Sequence, residues 1–177
     1  MESLWSKNTQ LPEFEESPED MRVQNVVIGG GIAGLLIAYM LQCKGKEVVV
    51  LEAKEIASGQ TQNTTAKITS QHGLIYHKMI QNTDKERAVG YAAANEAAIR
   101  KYEEIITKEG SACHFERIPS FLYSVETAGI SKLQQEAMAA KSLGLKAEYI
   151  EGYKIEELPF SVAGAVRFEE QAQFHPL

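Results

Sequence analysis

The run Val26-Val27-Ile28-Gly29-Gly30-Gly31-Ile32-Ala33-Gly34 constrains this chain more than any other stretch. It holds the pattern GxGxxG at positions 29, 31 and 34. The pattern carries meaning only where a strand precedes it and a helix follows. Val23 to Ile28 reads as a short strand of the buried parallel kind. Ile32 to Lys44 reads as a helix that Gly45 stops, and Glu47 to Leu51 as a second strand. Strand, glycine turn, helix and strand make one βαβ unit, with a right-handed crossover.

Each glycine of the pattern has a physical task. Gly29 allows the tight turn out of the strand. Gly31 has no side chain, so a pyrophosphate can approach the backbone. Gly34 lets the helix pack closely. The N-terminus of the helix, at Ile32 and Ala33, offers backbone N–H groups and a positive dipole end to phosphates. Glu52 stands 23 residues after Gly29 (52 − 29), near the spacing of the carboxylate that holds a ribose hydroxyl. Ala53 and Lys54 follow it at the strand end and join the candidate cofactor site. A carboxylate there repels a 2′-phosphate, which disfavours NADP. FAD and NAD both stay open on the motif alone.

Ala57 to Gln71 is rich in Ser, Thr, Gln and Gly, too polar for a core element and too long for a plain turn. Loops of that kind in compact proteins are usually functional. Beyond it, residues 84 to 108 read as a long helix, with Ala88, Tyr91, Asn95, Ala98, Tyr102 and Ile105 as its packing stripe and Gly110 as its stop. Phe115 to Val125 reads as two short strands around Pro119-Ser120. Ser131 to Leu143 reads as a second amphipathic helix, and Leu145 to Ile150 and Ala165 to Phe168 as strands. The acidic stretch from Met1 to Asp20 is either a disordered tail or an arm pinned by Trp5, Leu11 or Phe14.

Composition excludes some functions. The net charge is −6, against the basic excess of a general nucleic-acid binder. Cys43 and Cys113 lie apart and outside any CxxC pair, so no metal site is expected, and isolated thiols suit a reducing cytoplasm. No basic, apolar leader opens the chain. The most apolar stretch, residues 26 to 41, is broken by four glycines and reads as strand, turn and helix, not as a membrane span.

Residues 24 to 52 resemble the N-terminal FAD fingerprint of the D-amino-acid oxidase and glycine oxidase type of flavoprotein. Ser58 to Tyr76, Leu158-Pro159-Phe160 and Phe168 to Leu177 resemble a bacterial subgroup whose full-length members carry a C-terminal Rieske [2Fe–2S] domain. The resemblance implies an α/β fold: a Rossmann-like FAD-binding βαβ core with part of an α+β substrate domain. It divides the chain into an arm (1–22), the N-terminal part of the FAD domain (23–80), and a helical segment with a partial substrate domain (81–177).

The resemblance also implies that the polar loop runs under the flavin, with Thr64, Thr65, Ala66 and Lys67 lining it. The implied reaction is oxidation of a C–N bond in an amine or amino acid, by hydride transfer to FAD. The iron–sulfur cluster would belong to residues outside this chain, and an electron-transfer partner is expected beside the small-molecule substrate. Gln173 to Leu177 stops without helix, cap or polar tail and reads as an interrupted domain. An NAD-binding dehydrogenase module and a cofactor-free fragment are the alternatives. Gln71 and His72 are weaker candidates near a substrate, and His77, His114 and His175 read as structural. Substrate identity, electron acceptor and oligomeric state have no signature in these residues.

Overall fold

A computed structural model describes residues 3–7, 9–14, 20–156 and 158–177. Met1, Glu2, Asn8 and residues 15–19 of the expected arm lie outside the described residues. The chain divides into two compact units, Met1–Ala66 with His175–Leu177, and Lys67–Phe174.

The first unit opens with a short helix, α1 (Leu4–Lys7). The expected βαβ unit follows: β1 (Val26–Ile28), α2 (Ile32–Cys43) and β2 (Val49–Leu51). The strands are parallel, with Val26 opposite Val49 and Ile28 opposite Leu51. Gly45 ends α2 at φ +68°, a conformation that costs glycine least, and its N–H returns to the Gln42 carbonyl at 2.8 Å. The strand β1 is not buried as its β-branched run leads one to expect. Ile28 is 88% exposed and Val26 49%. Two strands and one helix cover only part of an apolar parallel sheet, which ordinarily is covered on both faces.

The second unit is α+β. It runs β3 (Lys67–Ile68), α3 (Tyr76–Asn82), α4 (Lys85–Glu109), β4 (Glu116–Arg117), β5 (Ser120–Ser124), α5 (Ile130–Ser142), β6 (Ala147–Glu151), β7 (Gly164–Phe168) and β8 (Ala172–Gln173). Two antiparallel sheets result, ordered β3-β8-β4 and β5-β7-β6. The two strands flanking Pro119 therefore enter different sheets. The long helix α4 has the ends its sequence announces. Asp84 caps it by accepting from the Arg87 N–H at 2.7 Å, and Gly110 closes it at φ +65°.

The packing stripe of α4 needs one correction. Ala98 is exposed, and Ala92 and Ile99 are buried in its place with Ala88. The buried face steps 88, 92, 95, 99, 102 by alternating fours and threes, which holds one face of a 3.6-residue helix. Helix α5 buries Leu133, Ala137 and Ala140 with Val166 and Phe168 of β7 in one core.

Helix α3 has no expectation in the sequence. Its first N–H groups are capped from a distant element. The Glu136 carboxylate of α5, fully buried, accepts from the N–H of Ile75 (3.0 Å), Tyr76 (2.8 Å) and His77 (2.9 Å). That satisfies most of the helix start with one charged group.

Candidate functional site

The candidate site lies in the first unit, around the turn between β1 and α2. Gly29 adopts φ +101°, a backbone region that side chains rarely enter, and its N–H bonds the Leu51 carbonyl at 2.7 Å. Gly34 has ordinary backbone but no room. A Cβ there would sit 1.9 Å from the Gly29 carbonyl oxygen and 3.3 Å from Val27 Cγ1. The third glycine thus lets the first turn of α2 close directly on the strand-to-turn backbone.

Gly31 differs from both. Its φ of −78° is open to any residue. An added Cβ would meet only Thr61 Oγ1, at an ordinary 3.4 Å. Neither the backbone nor the packing of the protein requires glycine here, so the space above it is free for a ligand.

Gly30 is a residue that motif reasoning missed, because it occupies a free position of GxGxxG. A Cβ on it would meet Ile56 Cδ1 at 2.5 Å and Glu52 Cβ at 3.1 Å. Its N–H donates to Glu52 Oε2 at 2.7 Å, and its carbonyl accepts from the Ala57 N–H at 2.9 Å. Glu52 therefore lies beside the turn, half-buried. Its other oxygen accepts from the Lys54 N–H at 3.0 Å. The Gly30 N–H, followed by that of Lys54, holds the Glu52 carboxyl below its ordinary value of 4.5. A carboxylate has about four acceptor positions. The N–H groups of Gly30 and Lys54, with a smaller contribution from that of Ala53, engage up to three, which leaves capacity for a hydroxyl.

Ala53 and Lys54 have exposed side chains, and Lys54 enters through its backbone. The turn also receives the polar loop. Thr61, buried, accepts from the Ile32 N–H at 3.0 Å through its hydroxyl. Thr61 too was missed, since no spacing rule links position 61 to position 32. Ala57 and Ala66 stand at φ +59° and +63°, both buried. Non-glycine residues in that region cost about 1–3 kcal/mol each and gather where function over-determines the backbone. Thr64 accepts from the Ala66 N–H at 3.3 Å, and Thr65 is exposed.

Lys67 opens β3 of the second unit, opposite Gln173, with its side chain exposed. His72, also in the second unit, is exposed. Its Nε2 lies 3.4 Å from Asn95 Oδ1 and its ring meets Tyr91 edge-on. Among the described residues no group of three or more His, Cys, Asp and Glu could hold a metal ion.

The turn, helix start and acidic strand end fit the ADP half of a dinucleotide. Comparison with known proteins decides which kind. The family model for FAD-dependent oxidoreductases, DAO, matches residues 25–177. The chain belongs to that family.

A Bacillus subtilis (strain 168) protein named as a Rieske 2Fe-2S iron-sulfur protein, YhfW, is 34% identical over 99% of this chain. The chain spans 34% of that relative's length. An aerobic glycerol-3-phosphate dehydrogenase of Staphylococcus epidermidis is 27% identical over 76% of the chain, which covers 25% of its length. Among solved structures, L-amino acid deaminase from Proteus myxofaciens superposes with a TM-score of 0.70 at 18% identity, over 96% of this chain and 37% of its own. At that identity the likeness shows the fold. Among the described residues no helix is long and apolar enough to cross a membrane.

Proposed function

We propose that Gly29, Gly31, Ile32, Ala33, Gly34 and Glu52 hold the ADP half of FAD, in a protein that oxidises a C–N bond of an amine or amino acid. Gly31 carries the reading: it alone among the motif glycines has no structural need to be glycine. Thr61 already accepts from the Ile32 N–H, so the other N–H groups at the start of α2 would receive the pyrophosphate, favoured by the helix dipole. Glu52 would accept from a ribose hydroxyl while Gly30 and Lys54 N–H groups keep it ionised and aimed. Ala53, Lys54, Thr64, Thr65 and Ala66 would follow the cofactor away from the turn.

When bound, the flavin supplies a two-electron acceptor for hydride from the carbon beside nitrogen. The fold shared with an amino acid deaminase supports the C–N reading, and the Rieske name of a relative supports an iron–sulfur electron acceptor elsewhere in the protein. The test is turnover by the full-length protein of amines, amino acids and glycerol 3-phosphate. Oxidation of an amine or amino acid is expected. Oxidation of glycerol 3-phosphate alone would overturn the C–N assignment while leaving the flavin site in place.

A further inference from the structure

The polar loop from Ala57 to Ala66 is held from one side by its own buried alanines and from the other by the N-terminal arm. Trp5, on α1, donates its indole N–H to the Thr64 carbonyl at 2.9 Å, across 59 residues of sequence. The same ring meets His175 edge-on, with centroids 5.0 Å apart and planes at 79°. His175 is itself fastened locally, its Nδ1 lying 3.2 Å from the Leu177 N. Trp5 is half-buried, and Ser3 accepts from the Ser6 N–H at 3.1 Å to start the short helix that presents it.

The indole thus ties three separated segments: the arm, the loop and the His175 turn. The tie falls on the carbonyl of Thr64, two residues before Ala66 in its left-handed conformation. A strained loop end keeps its conformation only when its surroundings hold it there. A hydrogen bond to a fixed ring supplies that hold where local sequence cannot.

We propose that Trp5 is a positioning residue for the cofactor loop, so that the N-terminal arm straps residues 57–66 into the shape that receives the dinucleotide. The part concerning the cofactor rests on the flavin reading above; the part concerning the loop does not. Trp5 touches no reacting atom, and its effect passes through the Thr64 backbone. Phe can replace the ring face but not the N–H, and Ala removes both. The two parts of the tie are therefore separable.

Trp5 is the sole tryptophan of the chain, so its emission reports the strap without a label. The experiment uses the full 177-residue chain as wild type, Trp5→Phe and Trp5→Ala. Hydrogen–deuterium exchange of amides 57–66 is measured without cofactor, with the amides of α2 and β2, in the same unit, as the folding control. FAD is then titrated, followed by its visible absorbance and by Trp5 emission.

The expected result is faster exchange in the loop for Trp5→Ala, an intermediate rate for Trp5→Phe, and unchanged α2 and β2. FAD affinity should fall about tenfold in Trp5→Ala, and wild-type emission should change as FAD saturates. Unchanged loop exchange in both variants would overturn the strap, whatever FAD does. A wild-type chain that takes up no FAD would count against the flavin site instead, with the exchange data still deciding the strap.

Discussion

The second unit buries large side chains among small ones: Tyr76, Phe168, Ile99 and Val166 are all at 1% exposure or less, beside Ala88, Ala140 and Ala165. Among the described residues of the first unit the buried side chains are Ala38, Ala57, Ala66 and Thr61, all small, while Ile28, Val26 and Ile37 stay exposed. One unit is held by interdigitated side chains. The other is shaped by close approaches at Gly30 and of Gly34 to the Gly29 carbonyl, and by hydrogen bonds that Glu52 and Thr61 accept from the backbone. The difference separates two demands. Packing volume fixes a core, whereas a phosphate site needs backbone N–H groups left open and side chains kept away.

That contrast can be broken by mutation. Phe168→Ala removes a ring packed on Tyr76 within the main core. It should cost about 3–5 kcal/mol of stability in the second unit, read by denaturant unfolding. A cost under about 1 kcal/mol would mean that the core is not packed as described.

Gly34→Ala should cost about 1–3 kcal/mol, because the clash is with backbone that cannot step aside. A neutral result would remove the close approach of α2 to the Gly29 carbonyl.

Gly31→Val should do the opposite of Phe168→Ala. It should abolish FAD binding, yet change stability by no more than about 1 kcal/mol. Loss of stability equal to that of Gly34→Ala would show that Gly31 serves the fold and not a ligand.

Glu52→Gln should weaken FAD binding by at least about tenfold. Its pH dependence sharpens the point. Glu52 is held below its ordinary value in the folded chain, so the tie to Gly30 contributes fully above about pH 4.5 and is lost as pH falls through the lowered value. Amide exchange at Gly30 and Lys54 should rise in that acidic window in wild type and lack the step in Glu52→Gln. The same step in both would assign it to another group.

What was legible in the sequence follows the same division. Elements with local signals stood out: the glycines around α2, Asp84 and Gly110 at the ends of α4, and Glu52 at its motif spacing. Helix α3 did not, because its cap is Glu136, sixty residues away, and a cap made by tertiary contact leaves no local pattern. The two-residue strands β3 and β8 are too short to show a period of two. In α4 the stripe was offset by one position at Ala98, because alanine suits either face of a helix and marks neither.

The site divides likewise. The roles proposed for Gly29, Gly31, Gly34 and Glu52 are tied to spacing along the chain. Gly30, Thr61 and Trp5 act across 22, 29 and 59 residues through hydrogen bonds that only the fold creates.

The most direct test of the central claim is the visible absorption spectrum of the purified 177-residue chain, with and without added FAD, after desalting. The two-banded spectrum of oxidised flavin, retained by wild type and absent from Gly31→Val, is the predicted result. Flavin retained equally by both would contradict the assignment of the Gly29–Gly34 turn as the dinucleotide site.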